Sequence, residues 1–219
     1  MQSKRIKIAF LGGGINSAVG RAHVIAIEMD KRFELVAGCF SREESINKKS
    51  ADEYKVEENR VYQNLDSLID NEKGKIDAIC ILTPTPNHVG EILKCIENKI
   101  SIICEKALTG SSSDAIKIQK AVKKNNTFLT VTYNYTGYPM LRELKEMIKS
   151  GMHGKINQIH LEMPQEGFYR LNNLGKPLKV QEWRLSDLNL PTISLDLGVH
   201  VHNIIYFLTG ESPIGLVAL

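Results

Sequence analysis

The chain has 219 residues, enough for one large domain or one and a half ordinary ones. Hydrophobic residues make up 42% and charged residues 24% without any low-complexity tract, a balance that excludes a disordered or fibrous chain. Lys and Arg number 28 against 25 Asp and Glu, with the two signs interspersed and no basic stripe, so nucleic acid is not an expected partner.

The apolar run near the start is broken early by glycines and is not followed by a cleavage site, and no run approaches the roughly 18 residues of a membrane span. Cys39, Cys80, Cys95 and Cys104 form no CxxC pair and read as buried reduced thiols. These features predict a cytoplasmic protein without a structural metal.

Along the chain, Arg5 to Leu11 reads as a first strand, Ser17 to Met29 as a helix, and Phe33 to Phe40 as a strand with aromatic and β-branched residues. Ile76 to Leu82 and Ile100 to Cys104 are further apolar strands separated by a helix near His88 to Asn98, and Phe128 to Thr132 is the next strand. Strands alternating with helices predict an α/β fold with a doubly wound parallel sheet. After Tyr138 the pattern changes. A helix from Pro139 to Ser150 ends at Gly151, and Lys155 to Met163 alternates as a strand of a second, open sheet would. A boundary near Thr136 gives a first domain of residues 1–135 and a partial α/β domain of residues 136–219. Residues 164–192, with Pro164, Pro177 and Pro191, form a long connection that contains Gln165, Phe168 and Tyr169 as candidates to line a pocket. A helix from His200 to Leu208 ends at Thr209-Gly210.

Gly12, Gly13 and Gly14 follow the first strand and precede a helix, so backbone amides of this loop, including those of Ile15 and Asn16, can face a pyrophosphate with no Cβ in the way. Gly12 and Gly14 match the first two positions of GxGxxG, but Ser17 stands at the third, which leaves close helix-to-strand packing without its usual glycine. At the end of the second strand, Ser41-Arg42 replaces the acid that accepts the ribose hydroxyls of NAD, and this favours the 2′-phosphate of NADP, although Glu43 or Glu44 can still reach the ribose. Thr83-Pro84-Thr85-Pro86-Asn87-His88 and Glu105-Lys106 follow later strands at the same carboxyl edge. Asp196 and His200 are four apart, a spacing that puts them on one face if the helix begins early enough, and histidine titrates near neutral pH as a general base requires. Plainer alternatives stand beside each motif: a tight turn, helix capping, a solvated pair at a strand end, a structural histidine.

Taken together, Gly12 to His23, Thr83 to His88, Glu105-Lys106, Trp183-Arg184 and Asp196 to His200 resemble the Gfo/Idh/MocA family of oxidoreductases. The resemblance implies a Rossmann domain followed by an open-sheet domain that often oligomerises, NAD or NADP as cofactor, and hydride transfer to or from a sugar, cyclitol or sugar derivative. It implies that Lys106 binds the reacting hydroxyl, His200 is the general acid or base, and Asp196 holds substrate or histidine. Gly12, Gly14, Ile15, Asn16, Ser41, Arg42, Thr83, Pro84, His88, Glu105, Trp183 and Arg184 are then the cofactor side. Where the family reads Glu-Lys-Pro, Ala107 follows Lys106, which removes a constraint on the backbone that carries the lysine. The sequence stops at Leu219, where family members continue through most of a second sheet. A cofactor-binding remnant without turnover, and a relative that cleaves glycosidic bonds by transient oxidation, are therefore competing expectations.

Overall fold

A computed structural model describes residues 4–164, 169–178, 180–187 and 189–217. Residues through Thr132 form one compact unit and those from Tyr133 form a second, so the division falls just before the expected boundary at Thr136.

The first unit is built on strands β1 (Ile6–Gly12), β2 (Phe33–Cys39), β3 (Ala78–Leu82), β4 (Ser101–Glu105) and β5 (Leu129–Thr132). All neighbouring pairs are parallel and the order is β2-β1-β3-β4-β5. β3 is apolar at every position because helices cover both faces of the sheet, which is why it reads as a continuous run and not an alternation. On one face Ala9, Leu11, Ile79 and Ile81 pack with Leu68, Ile92, Ile96 and Ile118. On the other, Ile8, Phe10, Cys80 and Leu82 pack with Phe40, Ala51 and Tyr54.

The covering helices are α1 (Ala18–Asp30), which adds Val24 and Ile27, α2 (Glu44–Glu53), α3 (Leu65–Glu72), α4 (His88–Glu97) and α5 (Ser112–Asn125), with Phe40 and Tyr54 in the segments flanking α2. The pattern of apolar residues does not announce α2. Its buried positions are Asn47, Ser50 and Ala51, so it has no apolar stripe to read. Asn47 earns its burial by polar work. Its Oδ1 accepts from the Phe40 and Ser41 amides at 2.7 and 3.3 Å, and its Nδ2 donates to the Tyr62 carbonyl at 2.8 Å, which fixes the chain where it leaves β2.

The glycine that lets α1 lie close to β1 is Gly20, not a residue at position 17. A Cβ on Gly20 would stand 1.9 Å from the Gly13 carbonyl oxygen, so backbone meets backbone there. Ser17 serves instead as the N-cap of α1, its hydroxyl accepting from the Gly20 amide at 3.1 Å.

The second unit holds a 3-10 turn at Tyr135–Gly137, α6 (Pro139–Lys149), a 3-10 turn at Glu182–Arg184, and a π-helical turn at Ser194–Gly198 that runs directly into α7 (Val199–Thr209). α6 and α7 meet where Lys145 Nζ sits 4.2 Å from the centre of the Phe207 ring. Gly210 takes the left-handed conformation and closes α7 with its amide on the Tyr206 carbonyl. The strand expected at Lys155 to Met163 is not formed. The segment lies in no ladder among the described residues, and an alternating stretch becomes a strand only where a neighbour supplies the hydrogen bonds. The bridge in this unit joins Leu171 to Pro177. No described helix is long and apolar enough to cross a membrane.

Two glycine substitutions separate packing from propensity. Gly20→Ala forces backbone apart and is expected to lower stability in urea by about 1–3 kcal/mol or more, as overpacking does. Gly90→Ala, in α4, meets nothing within 4 Å and is expected to raise stability by about 0.5–1 kcal/mol. Equal effects in urea melts would contradict the close approach at Gly20.

Candidate functional site

From β1 the chain goes to β2 on one side and then to β3 on the other, so the sheet order reverses between β1 and β3. At such a switch point the loops leave the carboxyl ends of the strands in opposite directions and open a crevice. Gly12 ends β1 there with φ of 82°, and a Cβ on it would lie 3.0 Å from the Leu82 carbonyl and the Thr83 amide. Gly13 follows with φ of 74°, again a conformation that favours glycine. A Cβ on Gly14 would meet Ser50 Oγ at 2.9 Å.

This loop is braced from behind. The Gly14 amide donates to the Phe40 carbonyl at 3.1 Å, the Ile15 amide to Ser50 Oγ at 3.0 Å, and Tyr54 OH to the Gly13 carbonyl at 3.0 Å. The Ile15 amide therefore secures the loop instead of facing a phosphate as expected. What the loop presents is a cradle without Cβ atoms and the N-terminus of α1, whose first-turn amides have no helical acceptors and carry the positive end of the helix dipole. That combination fits a pyrophosphate. Asn16 lies in the turn just ahead of the helix, and Ser41 and Arg42 lie beyond β2, with Arg42 exposed.

At the end of β3, Thr83 donates to Glu91 Oε2 at 2.5 Å, and Pro84 opens a 3-10 turn that leads into α4. His88, expected on the cofactor side, lies just behind this turn at the start of α4. It is fully buried, with Nε2 2.8 Å from the Thr83 carbonyl and Nδ1 2.9 Å from the Ala107 carbonyl, so the ring lies between the two loops and in its neutral form donates its one N–H to one of these carbonyls. Burial holds its proton affinity below the ordinary histidine value, against the pull of the Thr83 and Ala107 carbonyls. This contact reaches the position after Lys106, where Ala107 is buried with its carbonyl beside His88.

Glu105 closes β4 with its carboxylate fully engaged. Oε1 accepts from His23 Nε2 at 2.8 Å and from Thr132 Oγ1 at 2.6 Å, and the Lys106 amide also hydrogen-bonds the carboxylate. Burial pushes its proton affinity up, but the bonds from His23 and Thr132 outweigh it and hold the group below the usual glutamate value. Glu105, expected on the cofactor side, thus acts as a clamp that ties α1 and β5 to the Lys106 backbone. His23, on α1, reaches further to Cys80 Sγ at 3.7 Å. His23 carries no expectation by spacing, but it lies three residues past Gly20, on the same helical face.

In the second unit, Arg184 Nη1 donates to Asp196 Oδ2 at 2.8 Å and the guanidinium lies 5.1 Å from the Trp183 ring centre, while Trp183 Nε1 donates to Gln181 Oε1 at 2.9 Å. The helical turns do begin early enough to include Asp196, in the π-helical turn. His200 is buried, with the rings of Tyr133 and Tyr135 edge-on to it at centroid distances of 5.9 and 4.7 Å. Tyr169 is exposed; Gln165 and Phe168 lie outside the described residues.

A parallel sheet wound in both directions, with a glycine cradle and a helix N-terminus at its switch point, defines a dinucleotide-binding Rossmann domain. The family model described as "Oxidoreductase family, NAD-binding Rossmann fold" matches residues 6–133, and the chain belongs to this Gfo/Idh/MocA family. It is 30% identical over 206 residues to the uncharacterized oxidoreductase YfiI of Bacillus subtilis, covering 91% of this chain and 52% of that protein. D-xylose 1-dehydrogenase [NADP(+)] of Haloarcula marismortui is 24% identical over 64% of this chain and 38% of its own length. An inositol dehydrogenase homolog from Azotobacter vinelandii, solved in complex with NADH and myo-inositol, superposes with a TM-score of 0.82 at 26% identity, covering 95% of this chain and 54% of that one. The chain spans about half the length of these closer relatives.

The Glu105 clamp has a pH signature. A carboxylate whose folded value is depressed contributes stability above its unfolded value of about 4.3 and loses it as pH falls through the folded value. The stability lost in Glu105→Gln is therefore expected to be largest near neutrality and to shrink as urea melts are repeated below about pH 4. A loss independent of pH would contradict the clamp.

Proposed function

We propose that this protein is a nicotinamide-dependent oxidoreductase acting on the hydroxyl of a sugar, cyclitol or sugar derivative. The observation that carries the reading is the glycine cradle at the switch point, with Glu105 holding the Lys106 amide at the same carboxyl edge. Its substrate class draws on the relatives, one named for xylose and one solved with myo-inositol.

The loop from Gly12 to Asn16 and the first turn of α1 hold the pyrophosphate, Thr83 and Pro84 line the crevice, and Ser41 and Arg42 meet the adenine ribose. Trp183 and Arg184 stay assigned to the cofactor side by family resemblance. The nicotinamide ring, when bound, accepts or supplies the hydride. Lys106 hydrogen-bonds the reacting hydroxyl and lowers its proton affinity, which favours release of the proton as the carbonyl forms. His200 takes that proton and returns it in the reverse direction. Asp196, held by Arg184, orients the groups around it, and the edges of Tyr133 and Tyr135 fix the plane of the imidazole.

Both NAD and NADP are compatible with the family. Ser41 and Arg42 favour the 2′-phosphate of NADP, whereas the Azotobacter relative was solved with NADH.

The test follows nicotinamide absorbance of the purified chain across a panel of sugars and cyclitols with NAD and NADP. One or more substrates are expected to reduce the cofactor, and Lys106→Ala and His200→Ala are each expected to lower kcat by about 100-fold or more, the scale of a lost acid or base. Cofactor that binds but is reduced by no member of the panel would argue against turnover. Full activity in either variant would remove that residue from the mechanism.

A further inference from the structure

The end of β2 lacks the acid that marks NAD-specific folds, and the two acids that follow are engaged by their own helix. Glu43 Oε1 accepts from Ser45 Oγ at 2.7 Å, and Glu44 pairs with Lys48 at 2.9 Å. An acid nevertheless reaches this corner from the opposite side. Glu91, in the first turn of α4, accepts from Thr83 Oγ1 at 2.5 Å at the end of β3. Its charge also acts on Arg42 and on Cys39 at the end of β2. β1 lies between β2 and β3, so a carboxyl bonded at the end of β3 and within electrostatic range of the end of β2 lies near the carboxyl end of β1.

We propose that Glu91 sets the choice between NADH and NADPH, its carboxylate accepting the ribose 2′-hydroxyl of NADH and repelling the 2′-phosphate that Arg42 attracts. The inference rests on reading the crevice as a dinucleotide site. With Oε2 engaged by Thr83, Oε1 is the atom that takes the hydroxyl. Arg42 and Glu91 then form an opposed pair, one favouring each cofactor, and the balance depends on the charge of Glu91.

That charge changes near neutrality. Burial pushes the Glu91 carboxyl up to about 7, against the Thr83 hydrogen bond and the attraction of Arg42. Its charge also acts on the thiols of Cys39, Cys95 and Cys104, which burial raises far enough to stay neutral throughout the range of interest, and one turn away on α4 burial lowers the proton affinity of His88. Glu91 is neutral below its raised value and charged above it, so discrimination against NADPH strengthens as pH rises. The 2′-phosphate has its own transition near about pH 6, which is why the variant must be compared with the wild type at each pH.

The experiment is fluorescence titration of the full chain with NADH and NADPH at about pH 6 and 8, either side of the Glu91 transition. For the wild type, the NADH preference is expected to grow between the two. Glu91→Gln keeps an acceptor for Thr83 and is expected to move the affinity ratio about tenfold toward NADPH at the higher pH, the scale of one charge removed near a phosphate. At the lower pH the variant and the wild type converge. Arg42→Ala is expected to weaken NADPH about tenfold more than it weakens NADH, because only NADPH carries the 2′-phosphate. If the wild type binds but its ratio is the same at both pH values and in Glu91→Gln, the role of Glu91 is overturned while the dinucleotide site stands. If the wild type binds neither cofactor, the dinucleotide reading itself fails, and this inference with it.

Discussion

The contact on which the site depends is between two backbones, at Gly13 and Gly20. Only hydrogen can occupy the Cβ position of Gly20, because the Gly13 carbonyl fills it. That approach draws α1 onto the end of β1, where the amides of Ala18 and Val19, ahead of the Gly20 amide that Ser17 caps, lack helical acceptors and suit an anion. One turn along the same face stands His23, which hydrogen-bonds Glu105 at the far side of the crevice. Glu105 in turn holds the amide of Lys106. Cofactor cradle and lysine are thus registered to one another through a single helix, and a shift of α1 moves both.

Buried polar groups do most of the aligning. Asn47 holds the exit from β2, Ser50 and Tyr54 hold the glycine loop, and His88 joins the loop after β3 to the one after β4. Each is a buried group whose partners are backbone atoms of a loop at the carboxyl edge. Leaving such atoms unpaired is costly, so these bonds fix loop geometry more firmly than apolar packing alone can. Glu91 differs in that it is only half-buried and shares its surroundings with an exposed arginine, which leaves its charge open to a ligand.

The central fold was legible because fully apolar strands and the three consecutive glycines carry strong local signals. β1 and the start of α1 are read almost directly from Arg5 to Ser17, and β3 from Ile76 to Leu82. Other parts were not. α2 buries small and polar side chains, so periodicity is silent there. The packing glycine was sought three residues after Gly14, whereas the longer loop moves that task to Gly20. The partners of His88 and Glu105 are not legible in sequence order: His88 meets the carbonyls of Thr83 and Ala107, and Glu105 the side chains of His23 and Thr132, 82 and 27 residues away. The strand expected at Lys155 to Met163 rested on alternation, and alternation cannot supply the neighbouring strand that makes a ladder.

The most direct measurement is hydrogen exchange of the full chain with and without saturating NADH or NADPH. Slower exchange is predicted for the amides from Gly12 through the first turn of α1 and for those after Thr83, with little change on the face of the sheet covered by α3 and α5. Protection elsewhere, with none at the glycine loop, would contradict the account.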